Sequence, residues 1–333
     1  MVSGTKLRDK PSTVVGPDMS RCYFILLSVL ATFGCGRARA EPPPMFIRTW
    51  GTTGSLPGRF AEPYAAAFDS AGNVYVADDL NSRIQKFTAD GEFLALWGTE
   101  GSGDGQLFRP EGLAIDHDVL YVSERGNSRV QKFTLDGQHL GYLFNGIRPP
   151  GDIAVDSHGN IIVAIPEDTV GKLSRTGAVL AVWGGPGSGP GQFEAIAGIA
   201  IDKDDKVWIA DNTNRNIQQF GNDGSYIRQI QVPLLAPGGI AVDSLGNLFV
   251  GSANHMSKFS DAGLLLAEWG ASGTEPGNFR GGTGPELSRA GRIYVVDSGN
   301  NRIQEFGYGV PVFLNSWGDV KSIYKTSSPI RKH

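Results

Sequence analysis

The sequence predicts an all-β fold, a six-bladed β-propeller of four-stranded antiparallel blades, on three observations. First, one segment recurs six times, as "AFDSAGNVYVAD", "AIDHDVLYVSE", "AVDSHGNIIVA", "AIDKDDKVWIAD", "AVDSLGNLFVG" and "ELSRAGRIYVVD". The residues aligned with Asp69 are Asp116, Asp156, Asp202, Asp243 and Ser288. Their spacing of 47, 40, 46, 41 and 45 residues is a period of solenoids and propellers. Second, each period holds four short runs rich in Val, Ile, Tyr, Phe and Trp, bounded by Gly, Asp and Asn, which are strand and hairpin signals. Third, no stretch after residue 40 sustains a helical period. Four antiparallel strands per repeat bury their faces against neighbouring blades only when the blades close into a ring around a channel.

The first forty residues stand outside this pattern. "RCYFILLSVLATFGC" (21–35) is a short apolar run after Arg21, and "ARA" (38–40) precedes "EPPP". A charged flank, an apolar centre and an A-x-A site read as an export signal over residues 1–40, with Met19 giving a conventional leader length if it is the true start. The run is too short to span a bilayer, so no transmembrane span is expected. Export implies a periplasmic or secreted protein, and the competing reading is a lipid anchor on Cys35. Both cysteines, Cys22 and Cys35, lie in the leader. A chain starting at Glu41 therefore has no thiol for a disulfide, a nucleophile or a zinc site. Without residues 1–40, 24 basic residues stand against 32 acidic ones, a net charge of −8. Such a surface repels phosphate backbones, which argues against a nucleic-acid partner.

Within each repeat the order is an apolar run such as "AAAF" or "GIAV", a turn, "NVYVA", a polar loop, "RIQKF", a second turn and "FLALWG". The last run occurs once too often, as "FIRTWG" (46–51) before the first repeat and "FLNSWG" (313–318) after the last. One of the two completes the sixth blade and shuts the ring, and the sequence leaves open which. The propeller is therefore assigned to residues 41–318, and 319–333 form a short tail.

A polar triplet follows "NVYVA" in four repeats: Asp78, Asn81, Arg83; Glu124, Asn127, Arg129; Asp211, Asn214, with Arg215 one place early; and Asp297, Asn300, Arg302. A reaction centre is normally unique, so four copies at one spacing point to architecture. The expected roles are an Asn in a tight loop and an acid paired with Arg across or between blades. The Gly-rich links "GSLPGRF", "GSGDGQLF", "GPGSGPGQF" and "GTEPGNF" lack the following helix and Lys-Ser/Thr pair of a phosphate loop. "DKDDK" (202–206) lacks the Gly and distal Glu of a calcium loop and sits at a hairpin turn.

With the repeat unit on the page, the chain resembles the NHL repeat family. One copy reads "GQLFRPEGLAIDHDVLYVSERGNSRVQKFTLDGQHL" (105–140), and the resemblance extends over roughly residues 45–318. It implies a six-bladed propeller but not one activity, because similar propellers serve as RNA-binding modules, as protein-binding ends of tripartite-motif ubiquitin ligases, as sensor ectodomains, and as metal-dependent lyases and lactonases. A ligase would need a zinc RING, for which no cysteine remains after residue 40.

Candidate ligand-binding residues are those where the six-fold pattern lapses. Glu286 replaces an inner-strand alanine found as Ala67, Ala114, Ala154, Ala200 and Ala241 elsewhere, and such a carboxylate needs a partner or a shifted pKa. Glu111 and Asp152 fall where inner strands enter the channel. Asp168 and His255 lie in the shorter loops of repeats three and five, which lack the triplet. Of the other histidines, His117 and His158 fall in turns, His139 on an outer strand and His333 in the tail, so a three-histidine zinc site is not expected.

The expectation is an exported, monomeric binding or scaffold propeller that recognises a protein, peptide or glycan through one face, with no cofactor. The alternative is a metal-dependent hydrolase or lyase, lactonase-like or amidating-lyase-like, holding Ca or Zn on acids at the channel mouth.

Overall fold

The fold is seen in a computed structural model that describes residues 40–146, 149–166, 168–232 and 236–308. Residues 1–39 with Cys22 and Cys35, the "FLNSWG" copy at 313–318 and the stretch with His333 lie outside these described residues.

Strand β1 (Met45–Trp50) comes first. Blade 1 is β2 (Pro63–Phe68), β3 (Val74–Asp78), β4 (Arg83–Phe87) and β5 (Phe93–Trp97). Blade 2 is β6 (Pro110–Asp116), β7 (Val119–Glu124), β8 (Arg129–Thr134) and β9 (His139–Asn145). Blade 3 is β10 (Ile153–Val155), β11 (Ile161–Ile165), β12 (Thr169–Leu173) and β13 (Val179–Gly184). Blade 4 is β14 (Ile196–Ile201), β15 (Val207–Asp211), β16 (Asn216–Phe220) and β17 (Tyr226–Gln231). Blade 5 is β18 (Ile240–Val242), β19 (Leu248–Ser252), β20 (His255–Phe259) and β21 (Leu265–Trp269). Blade 6 takes β22 (Gly282–Leu287), β23 (Ile293–Asp297) and β24 (Arg302–Gly307), and β1 supplies its fourth strand.

All strand pairings are antiparallel, and all but this last one join strands consecutive in sequence. β1 lies against β24 with Met45 opposite Gly307 and Trp50 opposite Ile303, so "FIRTWG" closes the ring. Inner strands touch in order around the ring, and β22 meets β2. The closing seam is as apolar as the others. Val74, Val76 and Phe87 of blade 1 pack on Tyr294, Val296 and Ile303 of blade 6. Blades 1 and 2 meet the same way through Tyr75, Ala77 and Ile84 against Leu113, Val122 and Phe133. The second strands are buried on both faces, which explains their unbroken runs such as "VYVA".

Where it is present, the polar triplet is the scaffold of the blade's mouth-side loop. Asp78 accepts the backbone N–H of Ala61, Asn81 Nδ2 at 2.9 Å, Arg83 Nε at 2.7 Å and Gln85 Nε2 at 3.0 Å. The guanidinium then reaches the Gly-rich link, donating to the carbonyls of Ser55, Leu56 and Arg59. Gln85 Oε1 in turn accepts the N–H of Gly58. The same clamp recurs around Glu124 and Asp297. Acid and Arg are therefore partners across one hairpin, with Asp78 opposite Arg83, and not between blades as the sequence left possible. Arg215 corrects the expected motif. It is exposed at φ +53°, and Asn216 occupies the place opposite Asp211, so blade 4 has no such ion pair.

The Gly-rich links are packing devices: Phe60, Leu107, Phe193 and Phe279 each plug the core completely. "DKDDK" is a turn held by Asp202, which accepts the N–H groups of Asp204 and Lys206 and the indole N–H of Trp208.

Candidate functional site: the channel and its acidic waist

Six inner strands start at one face of the ring, here called the mouth, and run to the other. Small residues on them leave a channel. Its mouth half encloses about 810 Å³ and its far half about 510 Å³. Ala66, Ile240, Asp152 and Glu286 border both halves, so the two carboxyls mark the waist where they meet. At the level of Glu286 the wall is otherwise the alanine ring of the other five strands.

Three acids from three blades approach one another along this channel. Glu111 opens β6 directly after Pro110, as Tyr64 follows Pro63 in β2, so equivalent positions of adjacent blades face each other. Their side chains hydrogen-bond, and Arg125 Nε lies 3.5 Å from Glu111 Oε2. Burial pushes the Glu111 carboxyl up to about 7 despite Arg125, with Asp152 and Asp79 adding repulsion. Tyr64 is raised as well, by burial and then by Glu111 and Asp152. On the rim beside them Arg109 Nε sits 2.9 Å from Asp79.

Asp152 lies one residue deeper than Glu111 in the repeat register. Its two oxygens accept the N–H groups of Ile153 at 2.9 Å and Ile199 at 2.7 Å, which tie blade 3 to blade 4. Those bonds favour the charged form, but burial wins and lifts the carboxyl to about 6. Glu286 lies three residues deeper than the Glu111 level, about 10 Å along a strand. Burial, followed by the charge of Asp152, holds it well above the ordinary glutamate range. No described group donates a hydrogen bond to it.

The other expected site residues divide. His255, the first residue of β20, borders the mouth half, with Nδ1 3.2 Å from the Gly270 carbonyl and Nε2 3.4 Å from Glu268. Asp168 borders neither half of the channel: at φ +54° it accepts the N–H of Ile196 beside Asp211. The structure therefore gathers Asp152, Glu286 and His255 around one cavity, sets Glu111 beside it against Tyr64, and leaves Asp168 in the blade scaffold. Sequence reasoning missed Tyr64, Arg125 and Glu268. Tyr64 carried a usable signal, because its position holds Glu, Gly, Ala, Gly and Thr in the other repeats.

A divalent cation does not fit these residues. Among the described residues no three His, Cys, Asp or Glu side chains converge to hold one. The waist offers two carboxylates, one already engaged on both oxygens, where calcium takes six to eight oxygen ligands.

A profile of the NHL repeat matches residues 109–133, which span the second blade's inner strand, its turn and the Glu124–Arg129 clamp. The protein is a six-bladed β-propeller that carries a match to the NHL repeat. A mouse NHL repeat-containing protein 3 is 26% identical over 190 residues, covering 50% of this chain and 54% of that protein. The chain thus spans about half the length of the curated NHL relatives it matches first. Among solved structures, a gluconolactonase from Xanthomonas campestris superposes with a TM-score of 0.59 at 16% identity, over 82% of this chain and 99% of that one. A virginiamycin B lyase from Staphylococcus aureus gives 0.54 at 15% identity, over 74% and 95%. At such identities the likeness is one of fold, so the two enzymes share a ring of blades with this propeller. Among its described residues no helix is long and apolar enough to cross a membrane.

Proposed function

We propose that this NHL propeller is an exported, non-enzymatic recognition module that holds a protein, peptide or glycan ligand at the mouth of its channel. The observation that carries this reading is the mouth cavity. It is large, it opens to solvent, and polar groups from four blades converge on it: Tyr64 from blade 1, Asp152 from blade 3, His255 with Glu268 from blade 5, and Glu286 from blade 6. A rigid ring presenting few polar groups over a mostly apolar hollow is the usual form of a ligand site. The repeated clamps hold the loops in place, so a ligand meets a preformed surface.

The test is selection of ligands from peptide-display and glycan-array libraries on the purified propeller, followed by Glu111→Gln and His255→Ala. A selected ligand is expected to lose at least tenfold in affinity to one of these variants while both keep the parental melting profile. A ligand that ignores both would place recognition elsewhere.

A second reading, a metal-dependent hydrolase or lyase, draws on the likeness of fold to the lactonase and the lyase, although the described channel acids do not form a divalent-cation site. Its own test is metal content of the purified protein, with the melting shift caused by EDTA. A stoichiometric tightly held calcium or zinc ion would favour the enzyme over the recognition module.

A further inference from the structure

We propose that the channel waist is a subsite for a single organic cation, an alkylammonium or guanidinium group carried on a slender stem and inserted from the mouth. The inference rests on the mouth being the ligand site and names the chemistry at its floor.

Glu286 is the first support. It is the one long side chain in a ring otherwise made of Ala67, Ala114, Ala154, Ala200 and Ala241, and what surface it exposes opens into the channel. No described donor reaches it, and among the described residues the charged group acting on it is another acid, Asp152. Arg125 is occupied at the rim by Glu111, and Arg289 borders the far half without contributing to the charge balance of Glu286. A buried carboxyl with room before it and no counter-charge is complemented by a donor that brings its own positive charge.

The wall between rim and waist is the second support. It consists of Ala65, Ala66, Ala197, Gly239, Ile240 and Pro285. Such a wall strips hydration from anything that passes it. A divalent ion loses much by that and finds too few ligands below, whereas a methylene stem gains by packing there while its charged tip reaches the acids. Asp152 is already oriented by two backbone N–H groups, so it adds negative potential without having to move. A lysyl or arginyl side chain and a free alkylamine share this chemistry.

Calorimetric titration of the full-length protein tests it, using Nα-acetyl-lysine methylamide, its norleucine isostere, agmatine, hexylamine and calcium chloride. The lysine probe or agmatine is expected to bind one-to-one and at least tenfold more tightly than norleucine, and Glu286→Gln to abolish the difference. Preference for the lysine probe over hexylamine would indicate a side chain as the source, and the reverse a free amine. Equal binding of lysine and norleucine probes, or an undiminished preference in Glu286→Gln, would overturn the proposal. So would one-to-one calcium binding lost in that variant, which would make the waist a metal site. If Glu286→Gln alone fails to fold, Asp152→Asn and Glu286→Asp are read by the same titration, and retention of the full preference in both overturns the proposal. Should all cations fail while a library-selected ligand still depends on Glu111 or His255, the cation subsite falls and the recognition reading stands.

Discussion

Single residues decide which acids are structural and which belong to the channel. Asp78 and Glu286 are both enclosed carboxyls, but Asp78 accepts from four donors and Glu286 from no described group. Asp78→Ala leaves the buried Arg83 guanidinium without its counter-charge, so it should cost about 3–5 kcal/mol in urea unfolding. Arg215→Ala, although part of the same sequence motif, should stay within about 0.5 kcal/mol because the side chain is exposed. The channel acids set a pH dependence of definite sign. Glu111 and Asp152 are raised in the folded state, to about 7 and about 6, so their contribution is present below their ordinary range near 4 and is lost as pH rises through 6 to 7. Asp156 works oppositely. The N–H and amide of Asn160, Lys172 and Asn222 outweigh burial and lower it to about 2, so its stabilisation is lost only as pH falls from about 4 toward 2. Urea midpoints at pH 4.5 and 7.5 should therefore show wild type weakening at the higher pH, and Glu111→Gln should shrink that drop.

At the scale of elements, neighbouring blades are keyed together by glycine turns under large side chains. A Cβ on Gly91 would come within 2.7 Å of the Trp50 ring at φ +86°, and one on Gly137 within 2.6 Å of Trp97. Gly91→Ala should cost about 1–3 kcal/mol from overpacking, plus the left-handed backbone penalty of about 1–2 kcal/mol. Gly72→Ala, at φ +87° with open space around it, should show the backbone penalty alone. Strand β1 is the other critical element. Deleting residues 40–50 bares the β24 edge and removes Trp50 from Phe87 and Tyr294, so the variant should associate through that edge, as read by light scattering after gel filtration. The strands and their repeat were legible in sequence because hairpin chemistry and period-two burial are local. Which "WG" strand closed the ring was not, since both copies carry the same pattern and only the pairing with β24 distinguishes them. Arg215 was misread for a related reason: one residue of loop slippage moves a side chain from the clamp into solvent.

For the whole molecule, closure is what creates the site. Glu111, Asp152 and Glu286 sit in different repeats at three different registers, so no spacing rule joins them, and each was visible only as a lapse from the repeat. Tyr64 meets Glu111 only because the ring sets blade 1 beside blade 2. Asp168 was also such a lapse, yet its carboxyl serves the blade scaffold. Hydrogen exchange of the propeller with and without a library-selected ligand tests recognition at the mouth most directly. Mouth binding predicts added protection at residues 63–66, 110–113, 150–153 and 252–255, where the inner strands begin and the blade 5 loop overhangs them. Protection confined to the outer strands or to the far-face turns at 69–73 and 202–206 would contradict it.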